Sequence, residues 1–430
     1  MRHDRYGLPI SCGDAAVDAY VEGVDRALSA NAGAEESFDR AISAEPDLAL
    51  AHVGRARSLQ LRGRVSDARE SAARARALVA GATPRERGHV EALAAVVDGD
   101  APRALAAIRE HLADFPRDAM VLAPATGVYG LIGTSGRQDR NEALVALLDP
   151  LAGAYGDDWW FLGARGFALT EAKGWAIGAP LIERALARSP RNAHAAHAWA
   201  HVLYERGDEK DGARFVEGWL PDYPRAAQLH CHLSWHLALF ELARGRLARA
   251  RDLYLDSIRP GASLLLGMPT LADSASLLWR SELAGAEHCA GEWSEVAAYA
   301  ARMFPSVGVS FADAHCAVAY AAAGDDAALA RWTAELRRAD AVGRLPAGAV
   351  LPVVAEAFGA FGRGDYDAAI GLLVPMVDQF VRIGGSRAQR DLFEDTLLAA
   401  YWRAGRSEDA AMLLAQRLDR GPSIPVTRPA

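Results

Sequence analysis

Two short segments hold six histidines: AHAAHAWAHVLYERG (residues 193–207) and LHCHLSWHLALFELARG (residues 229–245). In each, one pair is spaced four apart, His197 with His201 and His232 with His236. Four positions are about one helical turn, so each pair shares a face. Neighbouring packed helices lie about 8–10 Å apart, and a histidine nitrogen holds a metal at about 2.0–2.1 Å. Two such pairs on adjacent helices can therefore converge on one divalent ion, with zinc, iron or manganese as candidates. The same side chains serve acid–base chemistry without metal, because a carboxylate beside an imidazole fixes its tautomer and raises its pKa.

Polar residues continue along the same face. Asp273, in LADSASLLWRSELAG, follows His236 by 37 residues, and His315, in FADAHCAVAYAAAG, follows Asp273 by 42. Upstream, Gly163, Phe167 and Glu171 share a face about one interval before His201. We read His197, His201, His232, His236, Asp273 and His315 as the catalytic set, the first four also as candidate metal ligands. Cys231 is flanked by His230 and His232, but successive helical side chains diverge by about 100°, so it is expected to be a buried thiol. Trp235 is expected to form a wall of the groove.

These side chains need a scaffold that repeats. Apolar residues recur at helical spacing nearly throughout, without sustained two-residue alternation, so an all-α fold with no sheet is expected. A glycine followed five residues later by alanine marks successive turns, at Gly63 and Ala68, Gly174 and Ala179, Gly245 and Ala250, Gly364 and Ala369, Gly405 and Ala410. Glycine supplies a left-handed helix end, and the small alanine allows close approach of the next helix. Prolines open successive hairpins at Pro46, Pro116, Pro190 and Pro224, the last two 34 residues apart. That interval is the tetratricopeptide period. The expected fold is a right-handed tetratricopeptide-type superhelical solenoid of about eleven helical hairpins, curling through more than one turn. Its first helices line the concave face and carry the four histidines. The whole chain, 1–430, is expected to be one solenoid. Residues 14–156 form N-terminal repeats, 157–418 form the repeats with the histidine-lined groove, and 419–430 form a frayed tail. The Gly- and Pro-rich stretch 336–352 reads as a loop.

Composition removes several functions. A net charge of -8 and a pI near 5.9 disfavour nucleic acid, whose affinity rests on clustered basic residues. No apolar run reaches the roughly 18 residues of a membrane span, and the N-terminal segment has no signal-peptide pattern, so a cytoplasmic protein is expected. Four scattered cysteines, Cys12, Cys231, Cys289 and Cys316, are expected to stay reduced. Lys173 and Lys210 are the only lysines and both border predicted turns, which leaves no candidate for a Schiff base or a phosphate-binding loop. No dinucleotide-binding, zincin or serine-hydrolase motif is present.

From about residue 157 to 400 the chain resembles the tetratricopeptide repeat protein 38 family, through HAWAH (197–201), CHLSWHLAL (231–239), DSASLLWR (273–280), FADAH (311–315) and GGSRAQRDLF (384–393). The resemblance implies site residues at His197, His201, Cys231, His232, Trp235, His236, Asp273, Ser274, Asp313, His315, Ser386, Gln389, Arg390 and Asp391, and names no reaction. In GGSRAQRDLF, an arginine near a helix N-terminus suits an anion. The substrate-binding set is therefore Glu171, Trp235, Asp313, Ser386, Gln389, Arg390 and Asp391. Clustered titratable groups point to an enzyme performing acid–base or metal-assisted hydrolysis or elimination on a small polar, anionic substrate. The alternative is a non-catalytic adaptor that holds a peptide or protein partner in the groove, for which lysines, asparagines and arginines along the concave face are expected instead.

Overall fold

The structure is a computed structural model that describes residues 2–419 and 424–427. Helices make up most of it. Eleven hairpins follow one another among the described residues, from Asp14–Leu28 with Ala34–Ala44 to Arg387–Arg403 with Ser407–Asp419, as the repeat period requires. The turn alanines Ala68, Ala250, Ala369 and Ala410 are fully buried. The helix Ala193–Arg206 ends on Gly207 at φ +76°, a left-handed position that glycine adopts without a Cβ clash. The result is an all-α, tetratricopeptide-like solenoid.

The first helices of hairpins five to ten lie side by side in chain order. They are Trp159–Lys173, Ala193–Arg206, His230–Ala243, Met268–Leu283, Ser310–Ala322 and Val350–Gly362. The last hairpin then returns: Arg387–Arg403 packs against both Ala193–Arg206 and Met268–Leu283. The chain thus fills its own concave side. The first hairpin also meets the sixth, since Ala193 N donates to Ser29 O at 3.0 Å and Tyr223 OH to Ala30 O at 2.5 Å.

The fourth hairpin departs from the repeat. Its first helix is cut to Ala119–Leu122 and a short 3-10 turn, and residues 126–139 form a loop before Arg140–Leu148. That loop reaches the C-terminal repeats. Buried Arg140 donates to Gly133 O at 2.8 Å and to Gly385 O, while Arg382 Nε donates to Gly136 O at 2.9 Å. Gly385 sits at φ +72°, and a Cβ there would lie 2.3 Å from the Phe311 ring, so this contact admits no side chain.

Two expectations are corrected. A small sheet exists: Arg2–His3 pairs antiparallel with Pro9–Ile10, because Asp4 Oδ1 accepts from Tyr6 N and Leu8 N at 2.9 Å each and closes the turn between them. Part of the expected frayed tail is docked, with Ile424 buried and Thr427 N donating to Leu283 O at 2.9 Å; residues 420–423 and 428–430 lie outside the described residues. Among the described residues no helix is long and apolar enough to cross a membrane. The four cysteines are unpaired.

Candidate functional site

The four histidines meet. The 35-residue offset between the pairs matches one hairpin, so Ala193–Arg206 and His230–Ala243 present them to each other across the helix contact. One ring nitrogen from each of His197, His201, His232 and His236 can be chosen so that all lie within 4.8 Å of one another. His201 Nε2 is 3.0 Å from His197 Nε2. The rings of His201 and His236 are 4.5 Å apart, and those of His232 and His236 are 4.9 Å apart. His201 and His236 have no solvent exposure, and His197 and His232 are buried at 7% and 5%.

Carboxylates flank the cluster on two sides. His232 Nδ1 lies 2.9 Å and 3.1 Å from the two oxygens of Asp273. On the other side Glu171 Oε1 is 3.9 Å from His201 Nδ1. Trp235 stacks on His232 with centroids 5.1 Å apart and an interplanar angle of 11°, while Phe167 lies against His201 at 4.9 Å. The stacked pair and the tilted pair fix the orientations of the two rings.

Several buried polar atoms in this region have no hydrogen-bond partner: both ring nitrogens of His236, Nδ1 of His201 and Nε1 of Trp235. Such atoms cost about 1–3 kcal/mol each when left unsatisfied, which makes their concentration in one cluster informative. Burial, reinforced by repulsion from the neighbouring imidazoles, holds His197, His201 and His236 well below the usual histidine pKa. The carboxylate-raised pKa values expected for the set do not hold for these three, because desolvation opposes charge more than the flanking acids favour it. Neutral imidazoles with free lone pairs are the form that ligates metal.

The other expected site residues divide by location. His315 is held apart, its Nδ1 2.7 Å from Phe311 O, and burial lowers it to about 4. Asp313 accepts from Gly308 N at 3.0 Å and braces its own loop. Cys231 is buried, with its thiol pushed up by burial. Ser386 and Gln389 form a reciprocal capping box at the start of Arg387–Arg403. Asp391 accepts from Tyr204 OH at 2.7 Å. Arg390, expected to hold an anionic substrate, is engaged by Gly385 O and by Glu171 at 3.7 Å. Glu171 also accepts from Arg387 N at 3.0 Å. This group ties the last hairpin to the histidine layer.

An apolar cavity of about 240 Å³ opens beside the cluster. His197 and His232 line it, with His194, Phe167, Tyr129 and Arg57. Arg57 and Tyr129 belong to the N-terminal third, outside the segment that carries the family resemblance. No sequence signal separates Arg57 from Arg55, two positions earlier in the same helix, Ala49–Leu61.

A second group, His89, His111 and Asp118, is also close enough to be a ligand set. Its hydrogen bonds are complete around the carboxylate. Asp118 Oδ2 accepts from His89 Nδ1 and His111 Nε2 at 2.9 Å each and from Arg85 Nε at 3.0 Å. Arg85 also pairs with Asp4 at 3.0 Å, so this knot pins the N-terminal ribbon to the third hairpin.

The fold and the site together define a class: a tetratricopeptide-like α-solenoid, closed on itself around a buried tetrahistidine cluster. No protein-family model matches the chain. Among solved structures it is similar to the P58(IPK) TPR domain, with 14% sequence identity over 94% of this chain and 90% of that one and a TM-score of 0.22. A likeness at that score adds nothing to the chain's own hairpins and spacing.

Proposed function

We propose that the chain is a member of the tetratricopeptide repeat protein 38 family and that its histidine cluster is a metal centre serving small-molecule hydrolysis or elimination. One observation carries the metal reading: His236 is fully buried, and neither of its ring nitrogens has a partner. A divalent cation bound among four imidazoles supplies a partner to one of these two nitrogens. The donor set suits zinc, iron, copper or nickel better than manganese, which prefers oxygen ligands. Nitrogens up to 4.8 Å apart approach the tetrahedral edge of about 3.3 Å that follows from the usual metal–nitrogen distance by small ring rotations.

A bound divalent ion supplies Lewis acidity and lowers the pKa of water. The protein's own groups do the rest. Asp273 accepts a hydrogen bond from the Nδ1–H of His232 and directs its Nε2 lone pair inward. Glu171 Oε1, 3.9 Å from His201 Nδ1, is beyond hydrogen-bond reach and would do the same for His201 only on closer approach. Phe167 and Trp235 exclude water, and His197 and His232 present the cluster to the cavity. Free cysteines throughout fit a reducing compartment, and we place the protein in the cytoplasm.

The repeat fold itself favours a second reading, a non-catalytic adaptor for a peptide or protein partner, because stacked hairpins build extended binding surfaces. The occupied concave side weighs against a long peptide there. Elemental analysis of untagged protein separates the readings. One equivalent of a transition metal, lost in His232→Ala and His236→Ala, is the expected result. Metal-free protein that takes up no zinc or ferrous iron on addition rejects the centre.

A further inference from the structure

Arg57 is the one charged side chain among the residues lining the 240 Å³ cavity. It projects from Ala49–Leu61 and is half-buried. Its hydrogen bond is to Gln60 Oε1 at 2.6 Å, one turn away on the same helix. Of the other buried arginines near the cluster, Arg390 pairs with Glu171 and Arg280 with Asp395, and Arg140 is held by the carbonyls of Gly133 and Gly385. Arg57 forms no salt bridge with any described carboxylate. Burial alone pulls its guanidinium down to about 10, which leaves it charged at neutral pH. The rest of the lining is apolar or neutral: Leu28, Leu61, Met120 and Phe167 among the large side chains, with His194 lowered to about 4 by burial. A half-buried cation in an apolar lining without a counter-ion is partly desolvated at a cost, and a ligand carboxylate is the group that matches its planar fork.

We propose that this cavity binds a small amphipathic carboxylate, its anionic group on Arg57 and its apolar body along Met120, Leu61 and Phe167, in the space bordered by His197 and His232. This replaces Arg390 as the anion-binding residue. It deepens the proposed function by naming the ligand class, and it rests on that reading only in setting the ligand beside the histidines.

Calorimetric titration of the full chain with octanoate and with octan-1-ol tests it, in metal-free and metal-loaded protein. The expected result is that octanoate binds about tenfold or more tightly than the alcohol, in keeping with a charge-assisted hydrogen bond. Arg57→Gln should erase that preference without changing alcohol binding, and Arg57→Lys should retain part of it. An alcohol that binds wild type as tightly as the carboxylate overturns the proposal, whether or not the variants fold. So does carboxylate binding that is unchanged in Arg57→Gln. Selective octanoate binding by a protein that takes up no metal leaves this inference standing and rejects the metal centre; stoichiometric metal without octanoate binding does the reverse.

Discussion

His232 Nδ1 sits 2.9 Å from one oxygen of Asp273 and 3.1 Å from the other, across the contact between His230–Ala243 and Met268–Leu283. The carboxylate can only accept, so Nδ1 carries the proton and Nε2 is left with its lone pair toward the cluster. Asp273→Asn turns this acceptor into an amide that can present its NH₂ instead, and the tautomer is no longer fixed. Metal affinity should fall about 10–100-fold while the helix content stays as in wild type. Competition titration against a chromophoric chelator reads the change; equal affinities would show that the pair is structural only.

His236 allows a sharper test because its two effects have opposite signs. In metal-free protein its unsatisfied nitrogens are a burden, so His236→Leu, similar in size, should raise stability by about 1–3 kcal/mol. In metal-loaded protein wild type gains the binding free energy and the variant does not. Thermal melts with and without a chelator should therefore reverse the order of the two proteins. The same order in both conditions would contradict a metal at this site.

Acid should weaken the metal-free fold. His197, His201 and His236 have folded-state pKa values held well below the unfolded value by burial and mutual repulsion, and His194 and His315 are lowered to about 4 by burial. Below an unfolded pKa of about 6.5 the unfolded chain takes up protons that these groups refuse. Their contribution to stability is complete above that pH and is lost as pH falls toward the folded values, with a slope of up to about 1.4 kcal/mol per pH unit for each group. Denaturant midpoints should be flat from pH 8 to 7 and drop between pH 6.5 and 5. The titrations of His194, His197, His201, His236 and His315 therefore fall below neutrality.

Arg140 holds the 126–139 loop to the far end of the chain through Gly133 O and Gly385 O. Arg140→Met keeps much of the side-chain volume but removes both donors, leaving Gly133 O short of a partner at about 1–3 kcal/mol and Gly385 O with the bond from Arg390 alone. Hydrogen exchange should accelerate in 126–139 and 384–386 together. Acceleration confined to one of the two segments would mean that they are not coupled.

The histidine faces were legible because four-residue and 35-residue spacings are properties of the chain, and repeat geometry converts them directly into position. Asp273 followed from the same register. The Glu171 partner of Arg390 did not, since it comes to the guanidinium only when the last hairpin folds back across the sixth and eighth, and a local pattern carries no trace of that return. Residues 126–139 have no period, so nothing in them announced a closure. Arg57 was hidden for another reason: its helix reads as ordinary repeat, and its role depends on lacking a partner, which only a three-dimensional neighbourhood can show. Burial had the same effect on the histidines, whose pKa values respond to surroundings that spacing does not describe.

Open repeat arrays behave as nearly one-dimensional chains, in which each unit answers only to its neighbours and terminal units can be added or lost. The bonds from Ser29 to Ala193 and from Arg140 to Gly385 convert this array into a ring in the topological sense. Its length is thereby quantised: inserting or deleting one hairpin would move the fold-back helix off the histidine layer. Contacts spanning well over a hundred residues also raise the contact order, so assembly should be slower and more nearly all-or-none than in a linear array of equal size.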